Sequence, residues 1–395
     1  MNINDFLAKI KNGINIGNGL ECKIIDILGK LREVREYNVT DDNGFHPCKI
    51  QILYGSETAP KDASGIFYSY ESMWGNSAIT KELIRFYKTL GFDSIRLPIT
   101  MGYHYDRHTD TFEKYWLNHI REIVDWIIEE GMVCSIVLSG EIDTAYKTEL
   151  WTHNPLGNPN MKRIIRIWEE LANLFKDVSE ESLCFEVINE FRLDTYEDVE
   201  RNGPNQRNMD IMNAVFHELI NVIRNTGGNN ANRAIGISGY QSDPYYNQEF
   251  SNIYIKTYDD LVFLTLTCYD PVAFTMCNEN WGITEWGSEE QYNSFDNNIN
   301  QLFGFYIKNQ IPFIISEYGT PMYNDIERLV NNDIDKSYNY RLSCVKVIES
   351  VKRYLSKTGV PAFLWDNGYF VDRENLVAPS LLMRILVDNV YTYRT

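Results

Sequence analysis

The sequence predicts a (β/α)8 barrel, and two observations support this fold class. Short apolar segments typical of buried strands alternate with longer amphipathic segments typical of helices, and this alternation implies a parallel sheet. Eight such strands are found, which is the number that closes into a barrel. A doubly wound open sheet is less well supported, because the glycine-rich stretch at 13–19 lacks the G-x-G-x-x-G spacing of a phosphate-binding turn.

The predicted strands and helices follow one another along the chain. The strands cover residues 13–18, 92–97, 132–138, 183–190, 234–238, 261–269, 312–317 and 362–365. The helices cover residues 79–90, 116–130, 161–175, 208–224, 246–258, 292–308, 338–357 and 380–387. Gly91 and Gly131 each end a helix, and Pro98 is expected to end the second strand because it cannot donate a hydrogen bond.

The stretch from about residue 20 to residue 70 interrupts this order. It contains short alternating runs, and the turn signal Asp41-Asp42-Asn43-Gly44 separates two of them. These features predict an inserted β-hairpin or small sheet on the barrel rim after the first strand, too short for a second domain. We therefore expect residues 1–395 to form a single catalytic barrel domain.

The charge balance limits the possible partners. The chain has 37 basic and 55 acidic residues and a net charge of −18. Nucleic acid and anionic membranes attract cationic surfaces, so neither is expected as a partner of this acidic chain. We also expect a monomer. No apolar run reaches the ~18 residues of a membrane span, and the N-terminus lacks a signal-peptide pattern. The sequence as written predicts a cytoplasmic protein, or a secreted one if a leader has been removed.

The seven cysteines indicate neither a zinc site nor a disulfide framework. Their number is odd and C-x-x-C spacing is absent. Cys134, Cys184 and Cys268 lie in apolar strand-like runs, which suits small buried side chains. No metal and no other cofactor is expected.

The predicted strand ends carry the candidate functional residues, because active sites of such barrels lie at the C-terminal ends of the strands. The residues found there are Asn18, Arg96, Ser139 to Glu141, Asn189, Glu190, Tyr240, Tyr269, Glu317 and Trp365. Cleavage of a glycosidic bond needs one acid to protonate the leaving oxygen and a second carboxylate at the anomeric carbon. Aromatic rings and amides suit the apolar faces and hydroxyl groups of sugars. The set therefore indicates carbohydrate chemistry.

Six motifs in this order resemble those of glycoside hydrolase family 5, the cellulase-type endo-β-glucanases. They are Gly13-Ile14-Asn15-Ile16-Gly17-Asn18, Ser72-Met73-Trp74-Gly75-Asn76, Ile95-Arg96-Leu97-Pro98, Phe185-Glu186-Val187-Ile188-Asn189-Glu190, Ile314-Ile315-Ser316-Glu317-Tyr318-Gly319 and Trp365-Asp366-Asn367-Gly368. The resemblance spans nearly the whole chain except for residues 20–70, and the order of the motifs makes it specific.

The resemblance implies a retaining double displacement on a β-1,4-linked glucan or related polysaccharide or oligosaccharide. Glu190 would be the general acid/base and Glu317 the nucleophile, with the two carboxyl groups about 5 to 5.5 Å apart. Asn189 would hold the sugar 2-hydroxyl, Tyr269 would orient Glu317, and Arg96 would stabilise the ionised form of Glu317 while Glu190 keeps its proton.

The resemblance also implies aromatic sugar-binding positions. Trp365 would be the platform beneath the cleaved sugar, and Trp74, Trp281 and Trp286 are candidates for more distant subsites. Asn18, at the end of the first strand, is a further substrate-binding candidate.

The chain departs from the family pattern at three histidine positions. Ser139 and Gly140 stand where the family has a histidine pair, and Thr267 stands where it has a third histidine. The cleft could take a different sugar, or His104 or His153 could approach from another loop. Alternatively, the protein could be a catalytically impaired carbohydrate-binding homologue of the same fold.

Glu186 lies four residues before Glu190 in the same predicted strand. An unpaired charge would be costly there. We therefore expect Glu186 to be either an ion-pair partner of Arg96 or a buried protonated acid, and not a catalyst.

Overall fold

The computed structural model describes residues 2–21, 76–101, 104–106, 109–139, 159–192, 203–276, 282–320, 334–368 and 370–393. The predicted insertion at about 20–70 lies outside these residues apart from its first two positions. Trp74, Gly140, Glu141, His153 and Trp281 lie outside them as well.

Eight parallel strands close into a barrel, which confirms the predicted (β/α)8 fold. They are β1 (Gly13–Ile16), β2 (Ser94–Ile99), β5 (Val133–Leu138), β6 (Leu183–Glu186), β7 (Ile235–Ile237), β8 (Val262–Cys268), β9 (Phe313–Tyr318) and β10 (Ala362–Asp366). Around the barrel their order is β1, β10, β9, β8, β7, β6, β5, β2. A short antiparallel pair, β3 (Tyr105–Asp106) and β4 (Thr111–Phe112), lies in the connection after β2.

The eight predicted helices are present with ends that differ by a few residues, and two short helices, the first and the seventh, were not predicted. In chain order the helices are α1 (Ile3–Leu7), α2 (Lys81–Thr89), α3 (Lys114–Glu129), α4 (Pro159–Phe175), α5 (Gln206–Asn225), α6 (Tyr246–Tyr254), α7 (Val272–Thr275), α8 (Glu289–Lys308), α9 (Ile334–Thr358) and α10 (Ser380–Leu386). Two 3-10 turns cover Gly228–Asn232 and Ile255–Thr257. Within the described ranges, no helix has both the length and the apolar character needed to cross a membrane.

The lower half of the barrel interior is apolar and is closed by the N-terminal segment. The buried cluster there combines Ile3, Phe6, Leu7 and Ile10 with Val133, Cys184, Ala234, Phe263, Ile314 and Phe363 from the strands. Side chains alternate along a strand, so residues two positions further on face the same interior at a higher level. These higher positions include Asn15, Arg96, Ser135, Glu186 and Thr265, which are buried and polar.

Two strand ends differ from the prediction. β2 continues through Pro98 to Ile99 instead of stopping before the proline. The pairing of β1 with β2 ends at Asn15 and Arg96. Pro98 lies beyond that pairing, so the hydrogen bond that proline cannot donate is not required on the β1 side. β6 is shorter than predicted and ends at Glu186. Asn189 and Glu190 therefore lie in the turn that follows β6, and not on the strand.

β9 contains a bulge at Ser316. Ile315 pairs with Leu266, but the next residue of β8, Thr267, pairs with Glu317, and the ladder with β10 has the same extra residue. Ile314 faces the barrel interior, so regular alternation would place Glu317 on the outer face. A bulge redirects the side chains that follow it. It turns Glu317 inward, level with Thr267.

Candidate active site

Arg96 is the centre of a hydrogen-bonded cluster at the upper end of the barrel. Its side chain is fully buried on β2. Its Nη1 group donates to Glu317 Oε1 at 2.9 Å and to Asn15 Oδ1 at 3.0 Å, and its Nη2 group donates to Asn189 Oδ1 at 2.7 Å. Burial alone would lower the pKa of Arg96, but the carboxylates of Glu186 and Glu317 outweigh that effect and raise it. The guanidinium is therefore a permanent positive charge.

Glu186 occupies the other side of the same guanidinium, which confirms the expected ion pair. Arg96 Nε lies 3.0 and 2.9 Å from the two carboxylate oxygens of Glu186. Ser135 Oγ donates to Glu186 Oε1 at 2.6 Å. Both carboxylates that contact Arg96 are buried, with 1% of Glu186 and 5% of Glu317 exposed.

Glu317 is held from two directions. Its Oε1 accepts from Arg96, and its Oε2 accepts from the hydroxyl of Tyr269 at 2.9 Å. Desolvation raises the pKa of Tyr269 well above its ordinary value, and the charges of Glu317 and Glu190 raise it further. Tyr269 therefore stays protonated and donates. A carboxylate fixed by a cation and a hydroxyl suits a nucleophile, because its ionised form is stabilised and its orientation is set.

Asn189 and Glu190 follow β6 in a turn. The backbone N–H of Asn189 donates to Leu138 O at 2.8 Å, which joins the turn to the end of β5. Because Asn189 Oδ1 accepts from Arg96, its amide nitrogen is the end that can donate to a ligand. Glu190 has a left-handed backbone with φ of 43°, a conformation of the kind that clusters at functional sites in residues other than glycine. Its carboxylate lies 3.8 Å from Arg192, and 34% of its side chain is exposed.

The indole of Trp365 lies at the end of β10, directly against Gly17. A Cβ atom added at Gly17 would be 2.7 Å from Cζ2 of that indole. Glycine at this position therefore lets the ring lie against the β1 end of the barrel. Trp365 is half-buried, which leaves part of its ring for contact with a ligand.

Asn18 lies in the turn after β1 and has a left-handed backbone with φ of 55°. Its N–H donates to the carboxylate of Glu21, and its carbonyl accepts from Asn76 Nδ2 at 3.0 Å. These contacts of Asn18 hold the turn together. Its role as a substrate-binding residue stays a prediction.

Two residues considered as contributors to the site belong to the core instead. Trp286 is 4% exposed and packs edge-to-face on Tyr292 and Phe295, so this candidate for a sugar subsite is a core residue, as tryptophans more often are. His104 is buried, stacks on Trp116 with ring centroids 3.9 Å apart, and has Nδ1 3.0 Å from Glu113. Its imidazole is engaged in this packing beneath the loop after β2.

The two described positions that lack the family histidines carry small side chains. Ser139 follows β5 directly, and its N–H donates to Ile99 O at 2.8 Å. Thr267 is paired with Glu317 across the β8–β9 ladder, and its hydroxyl donates to Ser242 O at 3.4 Å. Thr267 therefore contacts the loop after β7 in the space where the resemblance implied an imidazole.

Sequence reasoning missed two members of the cluster. Asn15 Nδ2 donates to Ser316 O at 2.9 Å, while its Oδ1 accepts from Arg96. Ser135 binds Glu186. Both could have been found from alternation, because each is a polar residue at an inward-facing position of an otherwise apolar strand.

The fold and the site together define a glycoside hydrolase of the (β/α)8 class. Glu317, fixed by an arginine and a tyrosine, lies on β9, and Glu190 lies in the turn after β6, with β7 and β8 between these two strands around the barrel. An amide and an indole also lie at this end of the barrel. Paired carboxylates of this kind cleave glycosidic bonds.

Comparison with known proteins identifies the family. The family model for cellulase, glycosyl hydrolase family 5, matches residues 54–371. This chain belongs to glycosyl hydrolase family 5.

Individual relatives agree with this assignment. The chain is 28% identical over 303 residues to a cellulase/esterase of Acetivibrio thermocellus, a match that covers 76% of this chain and 34% of the relative. It is 27% identical over 301 residues to endoglucanase A of Clostridium longisporum, with 76% and 53% covered. The chain therefore spans only a third to a half of the length of these two relatives.

Solved structures share the fold over almost the entire chain. A GH5-4 broad specificity endoglucanase from Clostridium acetobutylicum has a TM-score of 0.73 at 23% identity, with 98% of this chain and 99% of that chain covered. A xyloglucan-specific endo-β-1,4-glucanase from a metagenomic library, solved with cellotriose, has a TM-score of 0.70 at 23% identity and covers 98% and 99%.

Proposed function

We propose that this protein hydrolyses β-1,4-linked glucan or a related polysaccharide with retention of anomeric configuration, using Glu317 as nucleophile and Glu190 as general acid/base. The observation that supports this most strongly is the fixation of Glu317. Its two carboxylate oxygens are engaged separately by the Arg96 guanidinium and the Tyr269 hydroxyl, both at 2.9 Å.

In the first half of the reaction, Glu317 attacks the anomeric carbon. A bond forms between a carboxylate oxygen and that carbon, while the bond to the glycosidic oxygen breaks. The leaving oxygen takes the proton of Glu190, so the departing sugar is neutral. Arg96 and Tyr269 keep Glu317 oriented before attack. Because Arg96 also fixes Asn189, the same cation positions the amide for the sugar 2-hydroxyl.

In the second half, a water molecule replaces the departed sugar. Glu190, now ionised, takes a proton from this water while the oxygen attacks the anomeric carbon and releases Glu317. This role requires Glu190 to exchange protons with solvent. Its exposed fraction of 34% and its position outside the barrel strands suit that requirement.

The substrate class follows from the relatives rather than from the cluster itself. Similar solved structures include endoglucanases, xyloglucanases and a lichenase, two of them with cellotriose bound. We extend the class of β-linked glucans to this chain. The half-buried indole of Trp365 is a suitable platform for the flat face of a glucosyl ring.

The small side chains at Ser139 and Thr267 favour one competing function. A cleft with fewer hydrogen-bond donors around the carboxylates could bind carbohydrate without cleaving it. Each hydrogen bond absent from the transition state would cost about 1 to 3 kcal/mol, which lowers the rate by about 5- to 150-fold.

The test is turnover of a polysaccharide panel, followed by the anomeric form of the first product. Purified protein is incubated with β-1,4-glucan, mixed-linkage glucan, xyloglucan, mannan and xylan, and new reducing ends are counted. Proton NMR of early time points on a cello-oligosaccharide should show the β-anomer first. Initial release of the α-anomer would contradict the retaining mechanism, and binding without new reducing ends would support the competing function.

A matched control separates specific from general effects. Glu181→Gln makes the same chemical change at an exposed glutamate, whose side chain is 68% accessible and whose contact is with Lys9. We expect wild-type turnover from this variant.

A further inference from the structure

We propose that Glu186 is a positioning residue for the nucleophile, and that its buried negative charge sets the pH range over which Glu317 is ionised. The inference rests on the proposed function, because it gives Glu186 a role within the same reaction. It departs from the expectation that Glu186 is merely a structural partner of Arg96.

The geometry makes Glu186 and Glu317 competitors for one cation. Arg96 Nε is engaged by both oxygens of Glu186, at 3.0 and 2.9 Å, while Nη1 is engaged by Glu317 at 2.9 Å. All three side chains are buried. With both acids ionised the three groups carry a net charge of −1. Arg96 therefore stabilises Glu317 less than an undivided cation would.

The contacts of Glu186 favour its ionised form. Its carboxylate accepts the single N–H of Arg96 Nε, which is shared between both oxygens, and the hydroxyl of Ser135 at 2.6 Å. Burial raises the pKa of Glu186, and Glu317 adds to that effect, whereas Arg96 and Ser135 oppose it. The net result is a raised pKa, and the contacts with Arg96 and Ser135 are what favour the charged form of Glu186 against burial.

The surroundings of both carboxylates are defined by the neighbouring strands. Glu186 faces Arg96 from β2, Ser135 from β5 and Glu317 from β9, and it also acts on the Cys184 thiol of its own strand. On the β7 side, a Cβ added at Gly236 would lie 2.9 Å from Cγ of Glu186. The absence of a side chain at Gly236 therefore leaves the room that Glu186 occupies.

Glu317 also has a neighbour that Glu186 does not contact. Beyond Arg96, it contacts the protonated hydroxyl of Tyr269, and Tyr269 in turn feels the charge of Glu190. The charged and titratable groups around the pair in the described residues are thus Arg96, Glu190, Tyr269 and Cys184. In addition to these groups, Glu186 acts on Glu317 through their shared partner, Arg96.

The sharing of the Arg96 charge between Glu186 and Glu317 affects the reactivity of the nucleophile. A nucleophile must be ionised at the working pH, yet its reactivity falls as its basicity falls. Arg96 alone would favour ionisation of Glu317 strongly and leave a weakly basic carboxylate. In this proposal, the charge of Glu186 offsets part of the effect of Arg96 on the attacking carboxylate.

The experiment is the acid limb of the pH profile for an activated substrate. The leaving group of 2,4-dinitrophenyl β-cellobioside departs without a proton from Glu190, so kcat/KM at low pH follows the ionisation of Glu317. In Glu186→Gln the like charge is gone, and the ionised form of Glu317 becomes easier to reach. We expect the acid limb to move to lower pH by about one unit, with a fall in the plateau value.

Charge-conserving and neighbouring variants separate this role from a structural one. Glu186→Asp keeps the charge and should leave the acid limb within about 0.3 of the wild-type position. Ser135→Ala removes the hydrogen bond that favours the charged form of Glu186, so Glu186 is neutralised earlier on acidification. Its acid limb should move in the same direction as that of Glu186→Gln, by a smaller amount.

Different results would contradict the role of Glu186 and the proposed hydrolase activity. If the wild-type enzyme turns over the aryl glycoside but the acid limb stays in place in Glu186→Gln, Glu186 does not tune the nucleophile. Should Glu186→Gln not fold, an unchanged acid limb in Ser135→Ala leads to the same conclusion. If the wild-type enzyme neither turns over nor is labelled by the substrate, the proposed function itself has failed.

Discussion

The two candidate catalytic carboxylates lie in contrasting environments. Glu317 is 5% exposed, sits within β9 and is bound by Arg96 and Tyr269. Glu190 lies beyond the end of β6 and has a left-handed backbone conformation. Its side chain is 34% exposed, and its carboxylate lies 3.8 Å from Arg192. One carboxylate is fixed in the barrel wall, and the other belongs to a turn.

This contrast matches what the two proposed roles need. A nucleophile benefits from a fixed position and a stabilised charge, because it must attack one atom from one direction. A group that gives up a proton and later takes one needs access to water. Environments that differ in this way separate the protonation states of two identical side chains. The following predictions test whether the separation is real.

The largest expected effect comes from exchanging the two glutamates for glutamine one at a time. Glu317→Gln should abolish turnover of both cello-oligosaccharides and 2,4-dinitrophenyl β-cellobioside, because it removes the attacking group. Glu190→Gln should reduce turnover of the oligosaccharide by about 10²- to 10⁴-fold, yet still react once with the activated glycoside. Stopped-flow detection of dinitrophenolate should show a burst only in Glu190→Gln.

Added azide sharpens this comparison. It is a nucleophile that needs no general base, so it should accelerate steady-state turnover of the activated glycoside by Glu190→Gln and leave Glu317→Gln inactive. Equal behaviour of the two variants would mean that the carboxylates do not have separate roles.

A smaller effect is expected from Tyr269→Phe. The change removes one hydrogen bond from Glu317 while the ring remains, and hydrogen bonds to charged groups contribute about 1.5 to 3 kcal/mol. We expect kcat/KM for cello-oligosaccharides to fall by about 10- to 100-fold. The matched control is Tyr258→Phe, which removes a 2.7 Å hydrogen bond to Asn213 outside the site. Similar losses of activity in both variants would argue against orientation of Glu317 by Tyr269.

The smallest effect is expected from Gly17→Ala. The new methyl group would lie 2.7 Å from the indole of Trp365, so the ring must shift away from β1. We expect roughly a tenfold loss of kcat/KM, with the carboxylate chemistry itself intact. Gly304→Ala is the control, because a Cβ at Gly304 has no neighbour within 4 Å. If Gly17→Ala behaves like Gly304→Ala, Trp365 does not support the sugar.

The architecture could be predicted from the sequence, but the inward orientation of the Glu317 side chain could not. Alternating apolar and amphipathic segments are a local property, and they predicted the eight strands and their order. The bulge at Ser316 depends instead on pairing with β8 and β10 at once. Counting from Ile314 by twos would place Glu317 outside the barrel, so its prediction as a site residue depended on its place at the strand end and on the motif resemblance.

The strand containing Glu186 shows a second limit. The apolar run continues from Leu183 to Ile188, so the pattern extended the strand to Glu190, whereas β6 ends at Glu186. A buried turn and a buried strand can have the same apolar composition. The left-handed conformation falls on Glu190, and no glycine or proline there indicates a turn. The sequence predicted that Glu186 and Glu317 meet Arg96, but it predicted neither the contact of Arg96 with Asn15 nor the turn that contains Glu190.

The most direct test of the central claim is covalent trapping of the nucleophile. The enzyme is incubated with 2,4-dinitrophenyl 2-deoxy-2-fluoro-β-cellobioside, digested and sequenced by mass spectrometry. The account predicts one added fluorocellobiosyl group, on the peptide containing Glu317 and attached to that residue. A label on Glu190 or on any other carboxylate would contradict the assignment of Glu317 as the nucleophile.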